Sequence, residues 1–338
     1  MMKHNKILYI GNNLLNSTKY ATSMDILSDL LLSEGIDIVK SSNKQNKLFR
    51  ILDMCISVYV HRKKIDYVLI DVFSTSNFYY AYFTSLISRV LKLKYIPILH
   101  GGNLPFRLDN SPKMSKAIFN YSNYNISPSG YLKYEFEKRK YNVILIPNVV
   151  EVHNYTYKDR VELQPKLLYV RALDKTYNPE MAIEVLSKLK INYPEAKLCM
   201  IGPDKDGSLE DVRKLAIAKE VIDNVEFTGV LTKKEWHKRS EEFDVFINTT
   251  NIDNTPISVI EAMALGLPIV STNVGGLPYL IENSVDGLLI EKGNINQMVA
   301  AIESLLKGKH NTIAKNARKK AEQFVWSNVK SKWLKILQ

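Results

Sequence analysis

The chain has 338 residues, a length that suggests two domains of ordinary size. Hydrophobic residues make up 46% and charged residues 24%, which excludes wholesale disorder and leaves enough apolar material for large cores. Lys and Arg number 46 against 35 Asp and Glu, a formal charge of +11 that asks for an anionic partner without saying which. The only cysteines, Cys55 and Cys199, have neither metal nor redox spacing. A disulfide scaffold is therefore not expected, and a reducing compartment is.

In chain order, the opening run through Asn12 has a short apolar stretch and no small-residue cleavage site, so it does not read as a signal peptide. Strand-like runs follow at Lys6–Ile10, Ile36–Val39, Tyr67–Asp71, Tyr95–Leu99, Tyr124–Ile126 and Val143–Ile146. Between them, 24–33, 48–60, 78–91 and 130–140 carry helical spacing. The stretch 78–91 is too short and too interrupted by Arg89 to span a bilayer. A polar segment, 151–164, precedes a second series of strands at Leu167–Val170, Lys197–Ile201, Val225–Thr228, Val245–Asn248 and Pro268–Ser271, with a helix expected over 179–189. Alternating short strands and helices predict parallel α/β sheets covered on both faces. The expected organisation is an N-terminal Rossmann-like domain over 1–155 and a second over 156–325. A last helix, with Val329, Trp333, Leu334 and Leu337 on one stripe, lies in 326–338 and needs a partner surface that either domain could supply, packing back on the first being one option.

The charge is uneven. Residues 1–157 hold 20 Lys/Arg and 11 Asp/Glu, whereas 158–338 hold 26 and 24. Two readings stay open: a solvated Lys-rich surface, or a first domain that faces something anionic. Basic and aromatic residues mix over 129–140; a helix there could turn cations to phosphates while Tyr131, Tyr134 and Phe136 pack or dip into a membrane interface.

Ligands of tandem α/β domains collect at the carboxyl ends of strands. The most informative such loop lies in Phe246–Thr272. A strand ends near Asn248, and a helix begins near Pro256, a residue favoured at a first turn. The N–H groups of Ile257, Ser258 and Val259, with Thr255 and Pro256 leading in, then form an open helix N-terminus suited to phosphate. Glu261 lies one turn further in, where a carboxylate can accept two hydrogen bonds from a ribose diol. Asp253 sits in the loop, within range of sugar hydroxyls. The competing reading makes Asp253 or Asn254 a cap and Glu261 a dipole partner.

This stretch resembles the retaining glycosyltransferases of family 4, whose fold is GT-B. Their E-x7-E pair and the EAMA-G-P-V run appear as Asp253 and Glu261, then Ala262, Met263, Ala264, Gly266, Pro268 and Val270. Asp in place of the first Glu shortens the reach to the donor sugar. Gly202 after Cys199-Met200-Ile201, Gly229 after Phe227-Thr228, Val274-Gly275-Gly276 and Gly287-Leu288-Leu289 fit the family's other marks. In the first half, Gly11 and Asn12 take the place of its glycine-rich diphosphate loop, and His100, followed by Gly101-Gly102, that of a strand-end His near the reacting carbons. One departure is plain. Where the family has an Arg and a Lys for the diphosphate, this chain has Ala172 and Tyr177, and Arg171 and Lys175 are the candidates to supply the charge from shifted positions.

The resemblance implies two Rossmann-like domains facing across a cleft, and transfer of a sugar from a nucleoside diphosphate sugar, with UDP favoured over GDP or dTDP. The acceptor would be a glycan or lipid-linked saccharide. His100 and Asp253 would serve the reacting sugar. Gly11, Asn12, Arg171, Lys175, Gly202, Gly229, Thr255, Pro256, Ile257, Ser258 and Glu261 would bind the donor. No metal is implied, and no D-x-D or His-rich cluster is read as a metal site. The expected location is cytoplasmic, peripheral on an anionic inner membrane face. An epimerase or hydrolase of nucleotide sugars, or a non-catalytic subunit, would share the donor residues. Nucleic-acid binding would explain the charge, but no signature for it is present.

Overall fold

The computed structural model describes residues 5–13 and 22–338; the first four residues of the run weighed as a signal peptide lie outside them. The chain divides into two compact units. Unit 1 is residues 1–149 with 326–338, and unit 2 is residues 150–325. This division falls six residues before the expected 155/156, because Val150, Val152 and Tyr155 are buried in a core with Leu168, Trp236 and Phe246 of unit 2.

Unit 1 holds one parallel sheet of strands β1 (Lys6–Ile10), β2 (Asp37–Ser41), β3 (Tyr67–Val72), β4 (Lys94–Leu99), β5 (Ile126–Ser127) and β6 (Ile144–Leu145), in the order β2-β1-β3-β4-β5-β6. Every residue of β3 is buried, as its unbroken apolar run requires of a central strand covered on both faces. The sheet separates two cores. Leu8, Ile10, Val68 and Ile70 face one, under the helices Lys47–His61 and Phe78–Val90. Ile7, Tyr9 and Leu69 face the other, which Trp326, Val329, Trp333 and Leu337 of the final helix Trp326–Ile336 and its end also fill. Trp333 is buried there, so Trp333→Ala would cost about 3–5 kcal/mol. Two helices had no expected counterpart, Leu104–Asn110 and Pro112–Phe119. Each is short and opens on a proline-bearing first turn, which hides helical periodicity.

Unit 2 repeats the architecture with β7 (Lys166–Val170), β8 (Lys197–Ile201), β9 (Val225–Gly229), β10 (Val245–Asn248), β11 (Ile269–Thr272) and β12 (Leu288–Ile290), all parallel, in the order β12-β11-β10-β7-β8-β9. The three residues of β12 are too few for periodicity to reveal. Strand order reverses between β7 and β10 in unit 2 and between β1 and β3 in unit 1. Loops leaving these strand ends diverge to opposite faces and open a crevice at the carboxyl edge. The candidate residues cluster at those two places.

Candidate functional site

In unit 2, Arg171 follows β7 and Asp253 follows β10. The structure brings them together: the Arg171 guanidinium donates from Nη2 to Asp253 Oδ2. The Tyr177 ring lies 4.3 Å beneath the guanidinium. Burial is the largest single influence and lowers the Arg171 pKa, but the Asp253 charge and hydrogen bond together with Tyr177 and Tyr169 outweigh it and raise the group above its ordinary value. Arg171 Nε is buried and has no hydrogen-bond partner among the described residues. Asp253 Oδ1 accepts from the Asn254 backbone N–H at 2.9 Å. The position where the family places a Lys therefore holds an aromatic platform for Arg171 instead.

Lys175 lies on the exposed side of the same loop, and its ammonium makes none of the ion pairs found among the described residues. What fixes Lys175 is its backbone, whose N–H donates to Asp206 Oδ2 at 3.1 Å and whose C=O accepts from Asn251 at 3.0 Å. Thr249 Oγ1 donates to the carbonyls of Tyr177 and Asn178, and the Asn251 N–H to that of Thr176. The loops after β7 and β10 are thus cross-tied by hydrogen bonds from Thr249 and Asn251 to the carbonyls of residues 175–178, which holds Arg171 opposite Asp253.

Gly202, at the end of β8, has φ +152°, and a Cβ there would lie 2.0 Å from the Arg171 carbonyl. Its N–H donates to the Gly229 carbonyl at 2.9 Å. Gly229, with φ +68°, has open space where a Cβ would be. The first glycine permits close strand-end packing, and the second leaves the edge uncovered. Asp204-Lys205-Asp206, directly after, has the D-x-D spacing that the expectation of no such motif overlooked. Its carboxylates are occupied as turn acceptors: Asp204 from the Gly207 N–H, Asp206 from Ser208 and the Lys175 N–H. Those hydrogen bonds hold the Asp206 pKa below its ordinary value.

The helix Ile257–Ala264 begins one residue after the expected Pro256, which is its N-cap residue and supplies no side-chain cap. Neither Asp253 nor Asn254 caps it. The Val259 amide is not open as expected: it and Ile260 donate back to the Pro256 carbonyl, so Ile257 and Ser258 are left as the open donors of the N-terminus among the described residues. Thr255, Ile257 and Ser258 are half-buried, hence reachable.

Glu261 is 4% exposed. Its Oε1 accepts from Tyr155 Oη at 2.7 Å and pairs with Lys233 Nζ at 2.8 Å. Burial, followed by the Glu261 charge, pushes the Tyr155 hydroxyl far above its ordinary pKa and keeps it a donor. His237 packs on the Tyr155 ring at 4.4 Å, and its Nε2 is buried without a hydrogen-bond partner among the described residues. Burial and the Lys233 charge lower the His237 pKa from 6.5 to about 4. Sequence reasoning missed Tyr155, Lys233 and His237. They lie outside the recognisable motif and reach Glu261 only through the fold.

In unit 1, Gly11 and Asn12 follow β1, Asp71 is the next-to-last residue of β3 and His100 follows β4. Asp71 Oδ1 accepts from Tyr9 Oη at 2.9 Å and from His100 Nε2 at 2.8 Å. The Phe73 ring stacks on the imidazole at 5.2 Å. Asp71 thereby sets the tautomer, with the proton on Nε2, and leaves Nδ1 for a ligand. A Cβ on Gly101 would meet the Ser74 backbone N at 2.6 Å, which explains the glycine after the histidine. A buried Asp in a strand run was the available signal for Asp71.

Gly11 and Asn12 stand at the carboxyl end of β1, where the sequence places them. A Cβ on Gly11 would lie 2.7 Å from Asp71 Oδ2. Its neighbour is thus a carboxylate, whose charge opposes a diphosphate, and close packing accounts for the glycine. Asn12 Oδ1 accepts from Arg50 Nη1, a guanidinium otherwise taken up by the carbonyls of Lys44 and Gln45.

In the helix Gly130–Lys138 the packing alternative holds for Phe136. Leu132 and Phe136 are buried, Lys133 pairs with Glu137, and Arg139 is held by Asp109 and Glu135. Only Tyr134, Lys138 and Lys140 of that mixture are exposed.

Residues 158–323 match the model of the family described as glycosyl transferases group 1. The amylovoran biosynthesis glycosyltransferase AmsK of Erwinia amylovora is 26% identical over 239 residues, 67% of this chain and 58% of that protein. Three curated relatives, AmsK among them, extend beyond the match, which spans 29–58% of their length. Among solved structures, sucrose-phosphate synthase from Thermosynechococcus elongatus aligns with a TM-score of 0.82 at 16% identity, covering 98% of each chain. Anabaena HepE, in complex with UDP and glucose, aligns at 0.78 and 16% identity, covering 99% of each. These neighbours share the GT-B fold with this chain.

Proposed function

Since this chain belongs to the group 1 glycosyl transferases, we propose that it transfers a sugar, with retention of configuration, from a nucleoside diphosphate sugar to an acceptor hydroxyl. The observation that carries the reading is in unit 2. Asp253 and Glu261 flank the uncapped start of the helix Ile257–Ala264, with Arg171 held against Asp253. One short stretch so offers acceptors for two sets of sugar hydroxyls and donors for the phosphates between them.

In the proposed reaction the bond from the anomeric carbon to the diphosphate oxygen breaks. A new bond to the acceptor oxygen forms on the same face, and the acceptor proton passes to the leaving phosphate. The Ile257 and Ser258 amides and Arg171 stabilise the charge that develops on the diphosphate. Glu261, steadied by Tyr155 and Lys233, holds the ribose, and Asp253 holds the transferred sugar. His100, oriented by Asp71, serves the sugar or the acceptor through Nδ1. UDP is the favoured nucleotide, supported by the UDP bound in the HepE structure. A lipid-linked saccharide at an anionic membrane face is the favoured acceptor, supported by the basic charge of unit 1. No helix among the described residues is long and apolar enough to cross a membrane.

The test is thermal stabilisation of the protein by UDP-, GDP- and dTDP-sugars, since a ligand of the native state raises its apparent stability. A UDP-sugar is expected to stabilise wild type and not Glu261→Ala. Stabilisation by none of them would end the reading. Donor turnover without acceptor would move it to the epimerase or hydrolase class.

A further inference from the structure

We propose that the helix Lys47–His61 of unit 1 is the element that seats this protein on an anionic lipid bilayer. The inference rests on the membrane reading above and deepens it by naming the surface. The helix is apolar on two opposite sides. Met54 and Val58, with Arg50, are buried toward the sheet. On the other side Leu48, Phe49, Leu52, Ile56, Tyr59 and Val60 are each 55–74% exposed. With 3.6 residues per turn these six fall within an arc of about 120°, centred about 180° from the buried three. A helix that only covered a sheet would carry polar residues on that outer arc. Isolated exposed apolar residues are ordinary, but a contiguous row of six marks an interaction surface.

Charge selects the occupant. Lys44 and Lys47 lead into the row, Arg62, Lys63 and Lys64 leave it, and Asp53 is the one acidic residue from 44 to 64. Arg62 folds over the Tyr59 ring at 3.9 Å, which places a cation at the rim of the apolar face. Unit 1 as a whole has 23 Lys/Arg against 10 Asp/Glu, a charge of +13. A second copy would bring that charge against itself, whereas a bilayer with anionic headgroups accepts both the cations and the apolar row. The neighbouring helix Phe78–Val90 adds exposed Tyr79 and Phe83. By contrast, the aromatic and basic residues of 129–140 are largely consumed by the core and by ion pairs within the protein.

Co-sedimentation with phosphatidylcholine vesicles, with and without phosphatidylglycerol, tests this. Wild type is expected to pellet with the phosphatidylglycerol-containing vesicles at low salt and less at high salt. Leu52→Ser/Ile56→Ser is expected to lose roughly tenfold or more of that partitioning, with an unchanged thermal midpoint because both side chains are exposed. Lys63→Gln/Lys64→Gln is expected to weaken it, and Lys138→Gln/Lys140→Gln to leave it unchanged. Equal binding by wild type and Leu52→Ser/Ile56→Ser would overturn the helix assignment while leaving the membrane reading intact. No binding by wild type would overturn both. A wild-type dimer that the serine variant makes monomeric would give the face to a second copy and overturn the proposal.

Discussion

The two units share one architecture and differ in how they spend their polar residues. Unit 2, with 23 Lys/Arg against 25 Asp/Glu, is near neutral, and its ionic groups are matched at the strand ends: Arg171 with Asp253, Lys233 with Glu261. Unit 1 carries the whole surplus of the chain, yet its strand-end cluster is a single carboxylate shared by Tyr9 and His100. Its lysines lie outside, beside an exposed apolar helix. Like frames thus support unlike tasks, because function is carried by the loops and outer faces that the sheet leaves free. Paired charges suit a site that must hold one small anion in one pose. Unpaired surface charge suits an extended partner whose position need not be fixed.

The sharpest way to break the comparison is at Glu261. Glu261→Ala should cut transfer by about 10²–10³-fold, the scale of losing two charge-assisted hydrogen bonds. Glu261→Gln separates that loss from a folding defect by keeping the shape. Activity within twofold of wild type would remove Glu261 from the donor site. Next comes Arg171→Ala, expected to lower turnover about 10²-fold. Lys175→Ala, at an exposed position, should cost less than about fivefold. The reverse ranking would assign the diphosphate to Lys175. In unit 1, Asp71→Asn should lower turnover roughly tenfold, the scale of one hydrogen bond to a charged group. The donor KM should hold steady, and His100→Ala should add little to Asp71→Asn. A change confined to donor KM would return His100 to a binding role.

The smallest effect concerns stability. His237 titrates at about 4 in the folded protein and near 6.5 when unfolded. As pH falls from 6.5 toward 4 the unfolded chain takes up a proton that the folded one refuses, so stability declines across that window. Denaturant melts of His237→Phe should show a flatter decline over the same range. Parallel curves would mean that burial of the imidazole does not govern the slope.

Most strands could be read from the sequence within a residue or two, because buried parallel strands are short, continuous and apolar. Arg171 and Asp253, in strand-end loops, and Glu261, in the helix that follows one of them, were equally legible as edge residues, since they sit at fixed offsets from those strands. Their partnerships were not. Tyr155 and Lys233 reach Glu261 from 106 and 28 residues away along the chain. The Arg171–Asp253 pair spans 82 residues. Tyr177 looked like a missing lysine until the ring was found under the guanidinium. Gly11 is the reverse case: a glycine at a strand end suggested phosphate, whereas the unseen neighbour was the Asp71 carboxylate. Local pattern tells which groups are present at an edge, and only packing tells which of them already neutralise one another.

Gly275 and Gly276 press on the backbone of Asp253 and Asn254 so closely that a Cβ at 276 would lie 1.5 Å from the Asn254 carbonyl oxygen. That contact makes the donor loop a wedge seat with no clearance. A methyl group at 276 would displace Asn254, and with it the adjoining Asp253, without removing a single charge or hydrogen-bonding group. Gly276→Ala is therefore a steric off-switch for unit 2. Partitioning onto vesicles should survive it, and binding of a nucleotide sugar should not.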